Sequence, residues 1–197
     1  MANYLKNWDL KSSKNPSKIL VPSNFIKEKV LKFYKIDSES IYPPVDWQLI
    51  NKVAKKNNYN PPVDGENFYL AAGRLIGYKR FDLVIEAFKK LGYPLKIVGI
   101  GREMKNLKNL AGNAKNIEFL GFVSKENLYE MYSKTKGFIF PQIEDFGLVA
   151  AEAQSAGAPI IGLKAGGLME IVKENETGIF FSEQNSHSLI EAIQKFE

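Results

Sequence analysis

Glu144 and Glu152 lie eight residues apart in a segment that could bind both a phosphate and a sugar. The apolar stretch 137–140 predicts a buried strand before them, which places Glu144 on a loop and Glu152 about two turns into a helix. Amides that open a helix favour an anion such as diphosphate, and flanking carboxylates can accept hydrogen bonds from sugar hydroxyls. These amides belong to Phe146, Gly147 and Leu148. Acidic residues near a helix start also occur because they offset the helix dipole, so the pair alone allows either interpretation.

Two cations follow another predicted strand, at residues 68–72. Arg74 comes directly after that strand, and Lys79 lies five residues later in the same loop. Arginine can hold a phosphate through two donors, and lysine adds a point charge. The alternative is a pair of surface cations, an interpretation that fits Arg80 and Asp82 better than Arg74.

Glycine motifs follow two further strands. Gly99 and Gly101 begin like a dinucleotide fingerprint, but Met104 stands at the third glycine position. The motif therefore predicts either a tight turn or a close backbone approach to a ligand. The pair Gly166-Gly167 allows the same two interpretations. The single histidine, His187, lies in the first turn of the last predicted helix and is expected at the surface, so a catalytic triad or a histidine metal cluster is poorly supported.

The elements that must position these residues alternate from residue 68 onward. The predicted strands are 68–72, 95–99, 117–120, 137–140, 158–161 and 178–181. The predicted helices are 81–91, 103–110, 125–135, 148–156, a short one at 168–174, and 186–197. Parallel strands need crossover connections, so the pattern predicts an α/β fold: a Rossmann-like, doubly wound parallel sheet of about six strands with helices on both faces. Such folds bind ligands beyond the carboxyl ends of their strands.

The first part of the chain has a different character. Residues 1–17 are polar and are expected to be ordered only in part. A short strand at 18–22 precedes a helix that Ser23 caps, an extended segment covers 41–46, and a loop covers 57–65. We divide the chain into residues 1–46, a basic segment and linker, and residues 47–197, the Rossmann-like domain.

Charge and composition exclude several classes of protein. Residues 1–35 hold eight lysines against Asp9 and Glu28, a balance of +6, so the rest of the chain sums to −1 of the total +5. This basic segment is either a solvated face or attracted to an anionic membrane, whereas no nucleic-acid recognition motif is present. The chain has no cysteine, which excludes disulfides and cysteine-ligated zinc. With no membrane-spanning run and no signal pattern, a cytoplasmic location is expected, with possible peripheral contact at the inner membrane face.

Four segments together resemble the C-terminal half of a retaining glycosyltransferase of family 4 (glycosyl transferases group 1), which has the GT-B fold. Residues 72–75 and 79–88 match its first signature. Residues 144–152 match its E-x7-E signature, and 157–159 and 166–170 match the segments that follow. The resemblance covers about residue 23 to the C-terminus. The run 41–46, together with 79–82, resembles the mannosyltransferase branch.

This resemblance implies a role for each candidate residue. Arg74 and Lys79, next to Gly73, would hold the donor diphosphate, and Glu144 would bind hydroxyls of the transferred sugar. The amides of Phe146, Gly147 and Leu148 would contact sugar and phosphate. Glu152 would bind the ribose, and Val123 and Lys125 would meet the base. The family resemblance also implies transfer without a metal or another cofactor, with GDP-mannose as the best guess for the donor and a UDP-linked sugar as the alternative.

The resemblance further implies a partner. Full enzymes of this family have two Rossmann-like domains, and residues 1–46 resemble only the tail of the first. We expect the chain to bind a nucleotide sugar but to transfer it poorly without an N-terminal GT-B domain or partner subunit. The acceptor class is a glycan or a lipid-linked glycan.

Three alternatives remain at this point. The chain could be a non-catalytic nucleotide-sugar-binding subunit of a split enzyme. It could be a GT-B nucleotide-sugar epimerase, although the ordered cations and glutamates argue against this. A dinucleotide-dependent dehydrogenase is disfavoured by Met104 and by the absence of a ribose-binding acid after the first strand.

Overall fold

The structure is a computed structural model that describes residues 2–56 and 67–197, with only the backbone of residues 55 and 56. The loop predicted at 57–65 lies outside the described residues. The chain divides into two compact units, Met1–Pro44 and Val45–Glu197. The interpretation of the first unit as the tail of a missing domain stays a prediction.

The first unit consists of two helices and two short strands. In chain order they are α1 (Ala2–Ser12), β1 (Leu20–Val21), α2 (Asn24–Tyr34) and β2 (Glu39–Ser40). The strands β1 and β2 pair in parallel across the α2 crossover. Ser23 caps α2 as predicted, because its Oγ accepts a hydrogen bond from the Ile26 amide at 3.2 Å.

The helix α1 was not predicted: it covers Ala2–Ser12 of the polar segment 1–17, whose expected partial order stays a prediction. The helix has no buried residue, and Tyr4, Leu5 and Trp8 are exposed. A helix without a buried apolar stripe gives no periodic signal in the sequence, which explains the error.

The second unit alternates strands and helices. Its elements are α3 (Trp47–Lys56), β3 (Tyr69–Ala72), α4 (Phe81–Leu91), β4 (Leu95–Val98), α5 (Met104–Ala111), β5 (Ile117–Gly121), α6 (Lys125–Lys134), β6 (Gly137–Phe140), α7 (Leu148–Ser155), β7 (Ile160–Leu163), β8 (Gly178–Phe181) and α8 (Ser186–Phe196). Two 3-10 helices, Gly77–Lys79 and Gly166–Glu170, lie between them.

Strands β3 to β8 form one parallel sheet in the order β5-β4-β3-β6-β7-β8. Neighbouring residues along each strand point to opposite faces. Tyr69 and Ala71 join the core beneath α4, α5 and α8, whereas Leu70 and Ala72 join the core beneath α3, α6 and α7. Both faces are therefore covered, and the predicted doubly wound parallel sheet is confirmed.

Three local predictions need correction. The segment 168–174 was expected to be a helix, but the chain there forms only the 3-10 helix Gly166–Glu170, whose first residue, Gly166, is left-handed at φ 71°. The strand predicted at 158–161 is shifted to Ile160–Leu163. The helix α3 was not predicted, although Ile50 is completely buried in the second core. The apolar residues of α3, among them Leu49, Ile50, Val53 and Ala54, recur at helical spacing, so the signal was present in the sequence and was overlooked.

The second core contains two buried tyrosines, Tyr129 and Tyr132, whose hydroxyls differ in their hydrogen bonding. Tyr132 on α6 is completely buried, and its ring meets the Phe138 ring edge-on at 5.3 Å. Within the described part of the chain, its hydroxyl has no hydrogen-bond partner. Burial, followed by the charges of Glu152 and Tyr129, raises the pKa of Tyr132 well above its ordinary value, so the hydroxyl stays neutral.

We predict that Tyr132→Phe stabilises the protein by about 1 kcal/mol, because it removes a buried polar group that has no partner. Urea denaturation of both proteins measures the difference. Tyr129→Phe is the matched control, because the Tyr129 hydroxyl contributes a hydrogen bond to Glu152 and its removal should bring no gain. A loss of stability in Tyr132→Phe would show that this hydroxyl is hydrogen-bonded in solution.

Candidate functional site

The candidate site lies at the carboxyl ends of β3 and β6, the two neighbouring strands at which the strand order of the sheet reverses. From β3 the chain builds outward through β4 and β5, then returns to place β6 on the other side of β3. The loops after β3 and β6 therefore diverge and leave a crevice at the carboxyl edge, which is where open α/β sheets bind ligands. Arg74 and Lys79 lie on the first loop, and Glu144 lies on the second.

Lys79 and Glu144 form an ion pair across this crevice. Only 9% of the Lys79 side chain and 18% of the Glu144 side chain are exposed. The amide of Gln142, itself buried, also lies 3.4 Å from the same carboxylate oxygen. Burial, and then the charge of Arg74, lower the pKa of Lys79, while the Glu144 carboxylate opposes them by favouring the ammonium form. The structure thus brings together Arg74, Lys79 and Glu144, which the sequence had assigned to one site.

A cavity of about 220 Å³ opens at the carboxyl ends of β3, β4 and β5, and Arg74, whose charge acts on Lys79, is part of its wall. Its wall includes three of the predicted donor-binding residues, Gly73, Arg74 and Val123. Most of the remaining wall is apolar and comes from the ends of β4 and β5 and from α6 and α7: Val98, Ile100, Phe122, Leu128 and Val149. A concave apolar surface with a cation at its edge suits a planar ring linked to a phosphate.

The helix α7 begins at the edge of the same site. Gly147 precedes it at φ 104°, a left-handed conformation that an L side chain rarely adopts. A side chain at this position would also meet the Phe140 ring. Leu148 opens the helix and is exposed, and Val149 in the first turn lines the cavity. The first amides of a helix have no partner within it, so this end can face an anion. The assignment of Phe146, Gly147 and Leu148 to sugar and phosphate stays a prediction.

Glu152 lies one turn from the end of α7, beside α6. Burial raises the pKa of Glu152, whereas the charge of Lys125 and hydrogen bonding by Tyr129 lower it. The structure therefore brings Lys125 into the electrostatic surroundings of Glu152, as the sequence assignment of both to the nucleoside end would require. Their contacts with ribose and base stay predictions.

The glycine motifs serve the protein's own backbone. A side chain at Gly99 would overlap the Gly73 carbonyl, and one at Gly101 would overlap the Leu75 carbonyl. The Gly167 amide donates to the Glu144 carbonyl at 2.9 Å, and side chains at either Gly166 or Gly167 would overlap the Glu144–Phe146 backbone. Of the two interpretations left open by the sequence, the structure favours close packing between loops.

The polar groups that contact the two glutamates were not predicted from the sequence. Gln142 lies only two residues before Glu144, so its contact with the Glu144 carboxylate could have been predicted. Tyr129 and Tyr132 resembled ordinary core residues of an amphipathic helix, and nothing in their spacing indicated that they surround Glu152.

Neither a metal-binding cluster nor a membrane-spanning helix is found within residues 2–56 and 67–197. No group of three or more His, Cys, Asp or Glu side chains there could hold a metal ion. None of the helices in that part of the chain is long and apolar enough to span a bilayer. Transfer without a cofactor stays a prediction.

The raised pKa of Glu152 predicts a pH-dependent penalty on folding. Between the ordinary carboxyl pKa and the raised value, the folded protein binds more protons than the unfolded chain, so stability falls as pH rises through that window. Glu152→Gln cannot ionise. We therefore expect its Tm to exceed that of the parent by a margin that grows as the pH rises above about 4, the ordinary carboxyl pKa, and that levels off once Glu152 has ionised.

Thermal melts across this range provide the measurement. The control variant is Glu86→Gln, which removes an exposed helical carboxylate far from the site. A margin that stays constant, or that grows equally in the control, would contradict a burial penalty at Glu152.

With the site described, the chain can be compared with known proteins. The family model of the glycosyl transferases group 1 matches residues 53–197. An uncharacterized glycosyltransferase of Methanocaldococcus jannaschii is 31% identical over 183 residues, which cover 91% of this chain and 49% of that protein. A GDP-mannose-dependent alpha-(1-6)-phosphatidylinositol monomannoside mannosyltransferase of Mycobacterium tuberculosis is 29% identical over 136 residues, which cover 61% of this chain and 35% of the relative.

Solved structures agree on the fold. The Anabaena protein HepE in complex with UDP and glucose superimposes with a TM-score of 0.74 at 20% identity, covering 99% of this chain and 58% of that one. The chain spans about half the length of curated relatives such as the Methanocaldococcus protein, at 49%. The prediction of the glycosyl transferases group 1 family is confirmed, whereas family 4 and the mannosyltransferase branch stay predictions. Because the family model matches well over half of its residues, the chain belongs to the glycosyl transferases group 1 family.

Proposed function

We propose that this chain is the donor-binding half of a retaining family 4 hexosyltransferase with the GT-B architecture. The observation that carries the proposal is the buried Lys79–Glu144 pair at the crevice between β3 and β6, together with a cavity whose wall includes Arg74. A cation for phosphate and a carboxylate for sugar hydroxyls lie side by side there. A nucleotide sugar is a ligand class that offers a partner to both groups, a phosphate to the cation and sugar hydroxyls to the carboxylate.

The cations act on the leaving group. As the bond between the sugar's anomeric carbon and the diphosphate oxygen breaks, its electron pair moves onto the diphosphate. Arg74, Lys79 and the first amides of α7 would stabilise this growing charge more strongly than they stabilise the bound donor, which is how electrostatic catalysis lowers a barrier. No metal is needed for this step if the cations neutralise the diphosphate.

The ion pair also prepares the site for its ligand. A buried ammonium without an anion nearby would be costly, and Glu144 offsets that cost before a donor arrives. A diphosphate could then take over Lys79, which would release the Glu144 oxygens to accept hydrogen bonds from sugar hydroxyls. Pre-positioned partners of this kind lower the reorganisation needed on binding.

The nucleoside would occupy the apolar cavity. Val123 at its edge and Lys125 at the start of α6 would meet the base, and Glu152 would accept hydrogen bonds from the ribose. The tyrosines beside Glu152 keep this carboxylate away from bulk water, which strengthens its hydrogen bonds to a bound ligand.

GDP-mannose is our first candidate for the donor. The resemblance of residues 41–46 and 79–82 to mannosyltransferases supports it, as does the GDP-mannose dependence named for the Mycobacterium relative. A UDP-linked hexose is the alternative, supported by the UDP and glucose bound to HepE. The acceptor would be a glycan or a lipid-linked glycan.

A second half would complete the enzyme. The aligned region covers 49% of the Methanocaldococcus relative. In full GT-B enzymes, catalysis takes place in the cleft between two domains. We propose that an N-terminal GT-B domain or a partner subunit supplies the acceptor side, in a cytoplasmic protein that can contact the inner membrane face through its basic first segment. A non-catalytic nucleotide-sugar-binding subunit is the second candidate, because the predicted donor-binding residues lie on this chain and the acceptor site of full enzymes lies mostly on the other domain.

Calorimetric titration tests donor binding. We expect the chain to bind one of GDP-mannose and UDP-glucose, and Arg74→Ala and Glu144→Gln each to weaken binding by about tenfold or more, because charge-assisted hydrogen bonds contribute about 1.5–3 kcal/mol. Arg102→Ala is the matched control, because that side chain is 80% exposed and its ion pair with Glu103 is long, at 3.9 Å. Equal binding by all four proteins would rule out the proposed site.

A transfer assay separates the two candidate functions. With the preferred donor and a glycan acceptor, we expect little transfer from the chain alone and a large gain when the N-terminal half of a group 1 relative is added. Glu144→Gln should abolish that gain. A robust rate from the chain alone would contradict the need for a second half, and no gain with donor binding intact would favour the non-catalytic subunit.

A further inference from the structure

A hydrogen-bonded strut joins three loops at the carboxyl edge of the sheet. The Arg80 guanidinium pairs with Asp82 through contacts of 3.1 Å. It also donates to the side-chain oxygen of Gln184 at 3.2 Å and to the Gln184 carbonyl at 3.4 Å. The Gln184 amide nitrogen in turn donates to the Pro141 carbonyl at 2.9 Å. The Gln184 side chain thus accepts a hydrogen bond through its oxygen and donates one through its nitrogen.

The strut holds a backbone conformation that is costly by itself. Arg80 adopts φ 53° and ψ 37°, the left-handed region that non-glycine residues rarely occupy. This conformation ends the 3-10 helix Gly77–Lys79 and starts α4. Strained residues of this kind persist where their surroundings hold them, and they concentrate at functional sites. Here the side-chain contacts to Asp82 and Gln184 hold Arg80.

The ends of the strut lie next to the two charged residues of the crevice. Arg80 directly follows Lys79, and Pro141 lies three residues before Glu144. These two loops leave different strands, β3 and β6, at the point where the sheet diverges. Gln184 comes from a third place, the segment between β8 and α8. One glutamine therefore connects the loop that carries the cation with the loop that carries the carboxylate.

We propose that Gln184 is a positioning residue: it fixes the spacing of Lys79 and Glu144 by tying Arg80 to the Pro141 carbonyl. The positioned pair is a property of the folded chain and can be tested without any ligand. Its consequence for donor binding rests on the proposed function. The amide is required as such, because it must accept from Arg80 at one end and donate to Pro141 at the other.

The ligand-free test measures the reactivity of Lys79. An amine-acylating reagent is applied to the whole chain, and mass spectrometry follows the labelling rate of Lys79 relative to the exposed Lys164. The whole Lys79 residue is only 7% exposed, so its amine should react slowly in the parent protein. Loss of a net hydrogen bond of about 1 kcal/mol predicts that Gln184→Ala labels about fivefold faster.

Two further variants decide what a faster rate means. Gln184→Glu keeps an acceptor for Arg80 but cannot donate to the Pro141 carbonyl when ionised, so it should label as fast as Gln184→Ala. Asn116→Ala is the control: the Asn116 amide also bridges two carbonyls, Phe88 and Tyr93 at 2.9 and 2.8 Å, but it does so at the amino end of β5. It should destabilise the protein without exposing Lys79.

The second measurement compares two ligands on the same variants. If the parent binds GDP-mannose or UDP-glucose, Gln184→Ala should weaken that binding about fivefold and leave the affinity for GMP or UMP unchanged, because a monophosphate lacks the sugar and the second phosphate. A purely structural role would weaken both ligands equally. If the parent binds no nucleotide sugar, the proposed function fails, and the labelling result still decides the role of Gln184.

The labelling outcomes are decisive in both directions. Faster labelling in both Gln184 variants, with parental labelling in Asn116→Ala, supports the strut. Parental labelling in Gln184→Ala overturns it, as does equal acceleration in Asn116→Ala, which would indicate general loosening. Parental labelling in Gln184→Glu also overturns it, because the Pro141 contact would then be irrelevant.

Discussion

The divergence of β3 and β6 is the constraint on which the rest of the structure depends. Parallel strands require crossovers, so every strand of the sheet ends at the same edge. Because the chain places β4 and β5 on one side of β3 and β6 on the other, the loops after β3 and β6 cannot cover each other. The crevice between them exists before any side chain is considered. Lys79, on the loop after β3, meets Glu144, on the loop after β6, in this crevice.

Close backbone packing preserves this edge. Gly99 and Gly101 allow the loop after β4 to lie against the loop after β3, and Gly166 and Gly167 allow the loop after β7 to lie against Glu144. A methyl group at any of these positions would push neighbouring loops apart. The loops that carry charge are therefore fixed by contacts between main chains, and their side chains are left to face the crevice.

The electrostatics of the site follow from this rigidity. Lys79 and Glu152 are both drawn away from water, and burial shifts the pKa of each toward its neutral form. Neighbours of opposite charge, Glu144 and Lys125, oppose the shift. Under the proposed function, a donor that offers phosphate and hydroxyl groups would take over these paired charges. Membership of the glycosyl transferases group 1 family is consistent with that chemistry.

The sequence by itself determined the sheet, its helices and the presence of Arg74, Lys79 and Glu144 at strand ends, because apolar periodicity and strand-terminal loops are local signals. It failed for α1, which buries no side chain, for α3, and for the segment from Gly166, which forms only a short 3-10 helix. Only the tertiary structure decided that Lys79 pairs with Glu144 and that Gln184 bridges Arg80 and Pro141. These contacts join residues between 43 and 104 positions apart. Sequence periodicity carries no information about such pairs, because strand order, rather than spacing along the chain, sets which loops become neighbours.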